Sequence, residues 1–156
     1  MAISHKLLSY LNQTNAVYET VAHPKTFSTQ ETADAAHVRA DHLAKGVLLK
    51  DKKGYLLAVV PGNEWLDLKR LGDELNRELH LLPESEIQTL FNDCKPGAIP
   101  PFGEVYGIET VVDQNLLTLS KVYFEAGDHE QLIGVSGEQF QMLVKGLRHG
   151  YYCKQV

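Results

Sequence analysis

Apolar and polar residues follow two different periods along the chain, and each period predicts a different element. Over residues 2–12, apolar side chains recur every three to four positions, which predicts an amphipathic helix. Over residues 16–22, AVYETVA, two sets of side chains alternate in a pattern typical of a strand. A helix followed by a strand is therefore the expected start of the fold.

Further helices are marked by their first turns. Ser28 is followed three residues later by Glu31, and Ser136 by Gln139, and both pairs have the spacing of a capping box. Leucines at helical spacing predict another helix over residues 66–77. In PESEIQTLF, a proline and two acidic residues suit the first turn of a helix.

Strand-like runs are interspersed with these helices. GVLLK and YLLAVV flank the turn DKKG, whose Gly54 suits a tight hairpin, and shorter runs follow at ELHLL, ETVVD, KVYFEAG and QLIGVS. Because helices and antiparallel-looking strands alternate with short loops, we predict an α+β fold with a curved, barrel-like sheet surrounded by helices. The absence of repeats and linkers predicts one domain over residues 1–156.

Composition limits the class of protein further. Apolar residues make up 44% and charged residues 22% of the chain, which is ordinary globular usage and argues against disorder. No apolar run approaches the roughly 20 residues of a membrane helix, and the first residues lack a secretory pattern. Cys94 and Cys153 are far apart and form no C-x-x-C pair. We therefore predict a cytoplasmic protein without a membrane partner.

Charge and motifs exclude several kinds of site. A formal net charge of −5 argues against nucleic-acid binding through phosphate contacts alone, although Lys50, Lys52 and Lys53 form a local basic cluster. Solvated surface is the simplest interpretation of that cluster. The chain has no phosphate-binding glycine loop, no H-E-x-x-H, no zinc spacing and no G-x-S-x-G elbow. We therefore predict neither a metal nor a cofactor.

Lys45 stands at the start of an apolar strand, in HLAKGVLLKD. Side chains alternate in a strand, so Lys45 shares a face with Val47 and Leu49, and we expect that face to point inward. One interpretation is a lysine at the rim of the core whose ammonium reaches water. The alternatives are an amine that anchors an anionic or carbonyl-bearing ligand, or a desolvated nucleophile with a lowered pKa.

Two further segments are candidates for binding. In GAIPPFG, residues 97–103, prolines fix the backbone while glycines permit a close approach, so the N–H groups of Gly97, Ala98 and Ile99 are available to a ligand oxygen. A simple connector between two elements is the competing interpretation. His129 follows a glycine turn in EAGDHEQL, where a surface role is the commoner outcome for a single histidine.

Taken in order, these segments carry a resemblance to a known family. HPKTFSTQETA, LAKGVLLKDKKGYLLAVVPGNEWLDLKRL, GAIPPFG, VVD and AGDHEQLIGVS resemble the YbaK/prolyl-tRNA-synthetase-associated family, the free-standing relatives of the editing domain of bacterial prolyl-tRNA synthetases. The resemblance covers roughly residues 15–145. It implies a mixed fold around a strongly curved sheet and hydrolysis of the ester that joins a wrong amino acid to tRNA.

The resemblance also implies roles for particular residues. The family lysine falls on Lys45, for which it implies a catalytic role. The implied substrate-binding positions are Phe27, Ser28, Gly97, Ala98, Ile99, Pro100, Pro101 and His129. Many family members have Thr or Ser after the lysine, where this chain has Gly46, and this departure bears on the choice of amino acid. Nothing in the sequence recruits Cys94 as a nucleophile, so we expect it to be structural.

The implied function is that of a trans-editing aminoacyl-tRNA deacylase. Its expected partner is the acceptor end of aminoacyl-tRNA, with an aminoacyl-tRNA synthetase as a further expected partner, and it needs no cofactor. Two alternatives remain from the sequence. One is a non-catalytic module that binds aminoacyl-tRNA or a synthetase. The other is an enzyme in which Lys45 forms a Schiff base with a small carbonyl compound.

Overall fold

The computed structural model describes residues 3–26 and 28–154, in which helices surround one mixed sheet. The α-helices are α1 (His5–Gln13), α2 (Thr29–Ala36), α3 (Leu68–Leu75), α4 (Glu84–Leu90) and α5 (Gly137–Leu143). The strands are β1 (Glu19–Ala22), β2 (Leu43–Asp51), β3 (Gly54–Pro61), β4 (His80–Leu81), β5 (Glu109–Asp113), β6 (Lys121–Glu125), β7 (Gln131–Ser136) and β8 (Arg148–Gly150).

The strands lie in the order β1-β7-β6-β2-β3-β5-β8, and β4 pairs with β2 beside this path. β2 and β3 form the predicted antiparallel hairpin, whereas β2 pairs with β6, β3 with β5 and β5 with β8 in parallel. The sheet is curved but does not close, since β1 and β8 remain its edges. The predicted α+β class with a curved mixed sheet is confirmed, and the strands are not uniformly antiparallel.

Residue patterns at the helix starts predicted the positions of most helices correctly. The Ser28 hydroxyl accepts the N–H of Glu31 at 3.1 Å, and the Ser136 hydroxyl accepts that of Gln139 at 3.1 Å, so both capping boxes are confirmed at their N-cap residues. The helix predicted over 66–77 is shorter, because Asp67 caps it and Leu68 begins it. The strand predicted over 16–22 begins only at Glu19.

Strand β2 is buried on both faces. Leu49 packs in an apolar cluster with Leu71 and Tyr152, whereas its neighbour Leu48 packs in the larger cluster that contains Phe124. The expectation that only the Lys45 face points inward is therefore wrong. A strand covered on both sides shows no single inward face in its sequence, because both sets of side chains are apolar.

The pairing of β2 with β6 positions the candidate site. Leu43 lies opposite Tyr123 and Ala44 opposite Phe124, so the start of β2 meets the end of β6. Lys45 and Glu125 each follow a paired residue directly in sequence. Strand topology thus brings together two parts of the chain that are far apart in sequence.

Candidate active site

A cavity of about 210 Å³ opens where β2 meets β6. This volume is smaller than the roughly 300–1,000 Å³ of pockets that hold drug-sized ligands, so it suits a small group such as an aminoacyl moiety. Its lining residues come from five segments of the chain: Thr29, Leu43, Ala44, Lys45, Gly46, Glu84, Ile87, Gly97, Ile99 and Glu125. Lys45 and the loop of residues 97–101, predicted separately from the sequence, therefore reach the same cavity.

Lys45 is half-buried in the wall of this cavity. Its ammonium donates one long hydrogen bond of 3.5 Å to the carbonyl of Gly62 and lies 5.7 Å from the ring centroid of Trp65. Burial lowers the pKa of Lys45, while Cys153 and Glu64 act in the opposite direction. Because an ammonium has three donors and only one partner is found in the described part of the chain, Lys45 can bind a ligand oxygen.

The loop of residues 97–101 presents only part of itself to the cavity. Gly97 and Ile99 line the cavity, whereas Ala98, Pro100 and Pro101 are buried beneath it. The N–H of Ala98 donates to the carbonyl of Lys95 at 3.1 Å, so it is not available to a ligand. Within the described part of the chain, the N–H groups of Gly97 and Ile99 have no backbone acceptor, so these two of the three predicted donors remain.

A buried histidine–glutamate–histidine cluster lies behind Gly97. Nδ1 of His129 is 2.9 Å from Oε2 of Glu125, and Nε2 of His23 is 3.8 Å from Oε1 of the same carboxyl group. A Cβ atom on Gly97 would lie 3.6 Å from Nε2 of His129. The predicted residue His129 does not line the cavity itself. It contacts Glu125 and lies close to Gly97, and these two residues line the cavity.

Burial sets the protonation of this cluster. It raises the pKa of Glu125 to about 8, an effect that Asp128 increases and a hydrogen bond from Thr32 opposes. It lowers the pKa of His129, and electrostatic effects of His23 and Lys25 act in the same direction. His129 Nδ1 and Glu125 Oε2 share one hydrogen bond, and the other ring nitrogen, Nε2, lies on the side of Gly97.

His23 and Glu125 are residues that the sequence analysis did not single out. His23 Nε2 and Glu125 Oε1 are both buried and have no hydrogen-bond partner among the described residues. The sequence carried a signal for Glu125, because this residue is the last of the run KVYFE and stands four residues before His129. His23 lies in the segment HPKTFSTQETA, from which the sequence analysis singled out Phe27 and Ser28 but not the histidine.

The predicted residue Ser28 lies at the start of α2. The Ser28 hydroxyl caps this helix, and the next residue, Thr29, is the one that lines the cavity. Phe27 lies outside the described residues. Gly62 brings β3 against the start of α2, since a Cβ atom there would lie 2.7 Å from the Thr29 methyl group.

The cysteines fit structural roles. Burial raises the pKa of the Cys94 thiol to about 12, which disfavours the reactive thiolate. Cys153 lies with Glu64 and Asp113 in a group whose potential metal-ligating atoms are within 4.8 Å of one another. Burial also raises the pKa of Cys153 strongly, and a protonated thiol is a poor metal ligand.

Replacing Glu125 by Gln is expected to remove a fall in stability that the wild type shows between about pH 5 and pH 8. The folded-state pKa of about 8 lies above the ordinary value of 4.5, so between these values the folded protein holds a proton that the unfolded chain releases. The wild-type free energy of unfolding should therefore decrease from about pH 5 to pH 8, by roughly 2–5 kcal/mol. Urea denaturation at several pH values measures this difference.

The matched control is Glu78→Gln, which changes an exposed carboxyl group. It should leave the pH dependence as in the wild type. If Glu125→Gln shows the same fall in stability as the wild type, Glu125 is ionised in the folded protein and the inferred protonation of the cluster is wrong.

Comparison with known proteins places this chain in a family. A model of the aminoacyl-tRNA editing domain matches residues 23–143, which are 121 of the 156 residues and include Lys45, Gly97 and His129. The chain belongs to the aminoacyl-tRNA editing domain family. The resemblance seen in the sequence is thereby confirmed.

Relatives of this editing domain cover nearly its whole length. The prolyl-tRNA editing protein ProX of Acetoanaerobium sticklandii is 26% identical over 152 residues, which are 93% of this chain and 92% of ProX. A crystal structure described as a candidate trans-editing enzyme for prolyl tRNA synthetase superposes with a TM-score of 0.82 at 20% identity, with 97% of each chain covered. The hypothetical protein APE2540 superposes with a TM-score of 0.83 at 21% identity, over 96% of this chain and 100% of its own. Both structures have the fold of the editing domain described above.

The helices of this editing domain were also compared with membrane spans. In residues 3–26 and 28–154, no helix has both the length and the apolar character needed to cross a bilayer.

Proposed function

We propose that this chain is a trans-editing hydrolase that removes amino acids from mischarged aminoacyl-tRNA by cleaving the aminoacyl ester. One observation carries the proposal: Lys45 and the loop residues Gly97 and Ile99 line the same cavity of about 210 Å³. A cation suits the phosphate or the ester carbonyl of the substrate, and N–H groups suit an oxyanion. Membership of the editing family and the name of the ProX relative support this assignment.

The proposed reaction uses the intrinsic reactivity of the ester. Water adds to the carbonyl carbon, and the resulting oxyanion accepts hydrogen bonds from Gly97 and Ile99. Lys45 holds the terminal phosphate or polarises the ester as a point charge. The intermediate collapses with cleavage of the bond to the ribose oxygen, which takes up the proton, and the free amino acid leaves. Fixed geometry supplies much of the acceleration.

His129, Ser28 and Phe27 remain proposed contributors to substrate binding. His129 acts from behind Gly97, where it fixes the shape of the loop. Residues 1–156 are proposed to act as one cytoplasmic editing domain on the acceptor end of tRNA, with a synthetase as a further proposed partner.

A deacylation screen over a panel of mischarged tRNAs tests this function. The expected result is release of amino acid from at least one mischarged tRNA and none from the correctly charged one. Binding of aminoacyl-tRNA without any release would overturn the hydrolase proposal in favour of a non-catalytic binding module.

Gly46 is expected to set the size limit of the cavity. A Cβ atom there would lie 2.9 Å from the Leu57 Cδ1 atom and 3.6 Å from the Ile99 Cδ1 atom. Gly46→Ala should therefore lower kcat/KM for the larger accepted amino acids by about tenfold relative to the smallest, since one methylene is worth roughly 10- to 200-fold in such pockets. Competition between two mischarged tRNAs measures the ratio, and an unchanged ratio would contradict this role.

A further inference from the structure

Trp65 is an exposed aromatic residue whose position calls for a function. It is the one tryptophan of the chain, and 77% of it is exposed to solvent. Exposed tryptophan leaves a large apolar surface in water, and aromatic residues in such positions are common in binding sites. Trp65 stands between β3 and α3, outside both apolar clusters that flank β2.

The backbone of Trp65 is held firmly although its ring is not packed. Its carbonyl accepts the N–H of Lys154 at 2.8 Å, and the next residue, Leu66, bridges to Cys153. Asp67 then donates its N–H to the carbonyl of Tyr152 at 2.8 Å. These bonds on successive residues fix the direction in which the indole leaves the chain.

The ring lies beside the candidate active site. The ammonium of Lys45 is 5.7 Å from the ring centroid, within the range of a cation–π contact, and the same Lys45 lines the cavity. One part of the indole surface therefore faces the site lysine, and the rest is open to solvent. An aromatic face next to a cation is the combination that proteins use to bind single-stranded nucleic acid.

We propose that Trp65 stacks on the base of the 3′-terminal nucleotide of the aminoacyl-tRNA whose ester enters the Lys45 cavity. This rests on the proposed function. The base and the ester are attached to the same ribose, so a group one lysine side chain away from the cavity is within reach of the base. The net charge of −5 limits phosphate contacts, and stacking adds affinity that does not depend on charge.

Intrinsic fluorescence provides a direct test, because all tryptophan emission comes from Trp65. Titration with an uncharged RNA hairpin that has an unpaired 3′ CCA end should change the emission in a saturable way. A blunt-ended hairpin of the same stem should not change it. Equal responses to both hairpins, or no response to either, would overturn the stacking proposal.

Kinetics of Trp65→Ala provide the second test. With the mischarged tRNA that the wild type deacylates, KM should rise about 5- to 150-fold, the range measured for loss of one base–aromatic stack. Trp65→Phe should recover part of the loss. Tyr151→Ala, which removes another exposed aromatic residue, should behave as the wild type.

A substrate without a base separates stacking from an effect through Lys45. With the ethyl ester of the same amino acid, Trp65→Ala and wild type should have equal kcat/KM. A loss of equal size on the ethyl ester would overturn the proposal and assign the effect to the environment of Lys45. Failure of the proposed function would be distinguishable from failure of the stacking proposal, because the wild type itself would then deacylate no mischarged tRNA.

Discussion

Lys45→Ala is expected to lower kcat/KM for deacylation of mischarged tRNA by roughly 100- to 1,000-fold, the usual effect of removing one preorganised electrostatic contact. The ammonium lies in the cavity wall, and its one hydrogen bond within the described residues is a long bond to the Gly62 carbonyl, so its removal takes away the proposed ligand contact and little internal structure. Single-turnover deacylation measures the effect, and circular dichroism with urea denaturation shows whether the variant is folded.

The matched control is Lys52→Ala, which removes an exposed lysine from the turn between β2 and β3 and changes the net charge equally. It should retain wild-type turnover. A folded Lys45→Ala protein with near-normal turnover would exclude the proposed mechanism. If borohydride traps a substrate on Lys45, the Schiff-base alternative replaces it.

Phe102→Ala is expected to have the largest effect on stability among the residues next to the site. Phe102 directly follows Pro101 and is almost fully buried. The centroid of its ring lies 4.9 Å from that of Phe124 and 5.6 Å from that of Tyr10. Truncation of a buried phenylalanine costs about 3–5 kcal/mol. Because the same side chain anchors the loop of residues 97–101, deacylation per folded molecule should also fall.

Phe140→Ala separates these two effects. Phe140 is fully buried in the same cluster, and it belongs to α5 rather than to the loop. Its truncation should lower the free energy of unfolding by a similar amount and leave kcat/KM close to the wild-type value under conditions in which the protein is folded. If both variants lose activity equally, the anchoring role of Phe102 is wrong.

The parts of the fold that were predictable from the sequence are those determined by near neighbours in the chain. The capping serines at positions 28 and 136 bond to N–H groups three residues away, so residue type and spacing suffice to find them. The hairpin turn at Gly54 is equally local. Strand β8 was missed because Arg148, His149 and Gly150 show no alternation and are held only by pairing with β5.

Those site residues were predictable whose type alone indicates their chemistry. Residues that are brought together only by pairing between strands were not predictable. Lys45 stood out because an amine in an apolar strand is unusual. His23 and Glu125 meet because β1 pairs with β7 and β7 with β6, and no spacing in the chain encodes those pairings. For the same reason, the sequence could not show that the Ala98 N–H bonds to the Lys95 carbonyl, whereas residues 3–26 and 28–154 hold no backbone acceptor for the N–H of Gly97 or Ile99.

The hairpin that joins β2 to β3 has a consequence for how this protein tolerates change. Its register places Lys45 opposite Val60 and Asp51 opposite Gly54, and side chains alternate between faces along the whole strand. One residue gained or lost in the turn, about six positions from the lysine, can therefore exchange the faces of Lys45 and Gly46. The length of the turn is therefore constrained by the site at the opposite end of the strand.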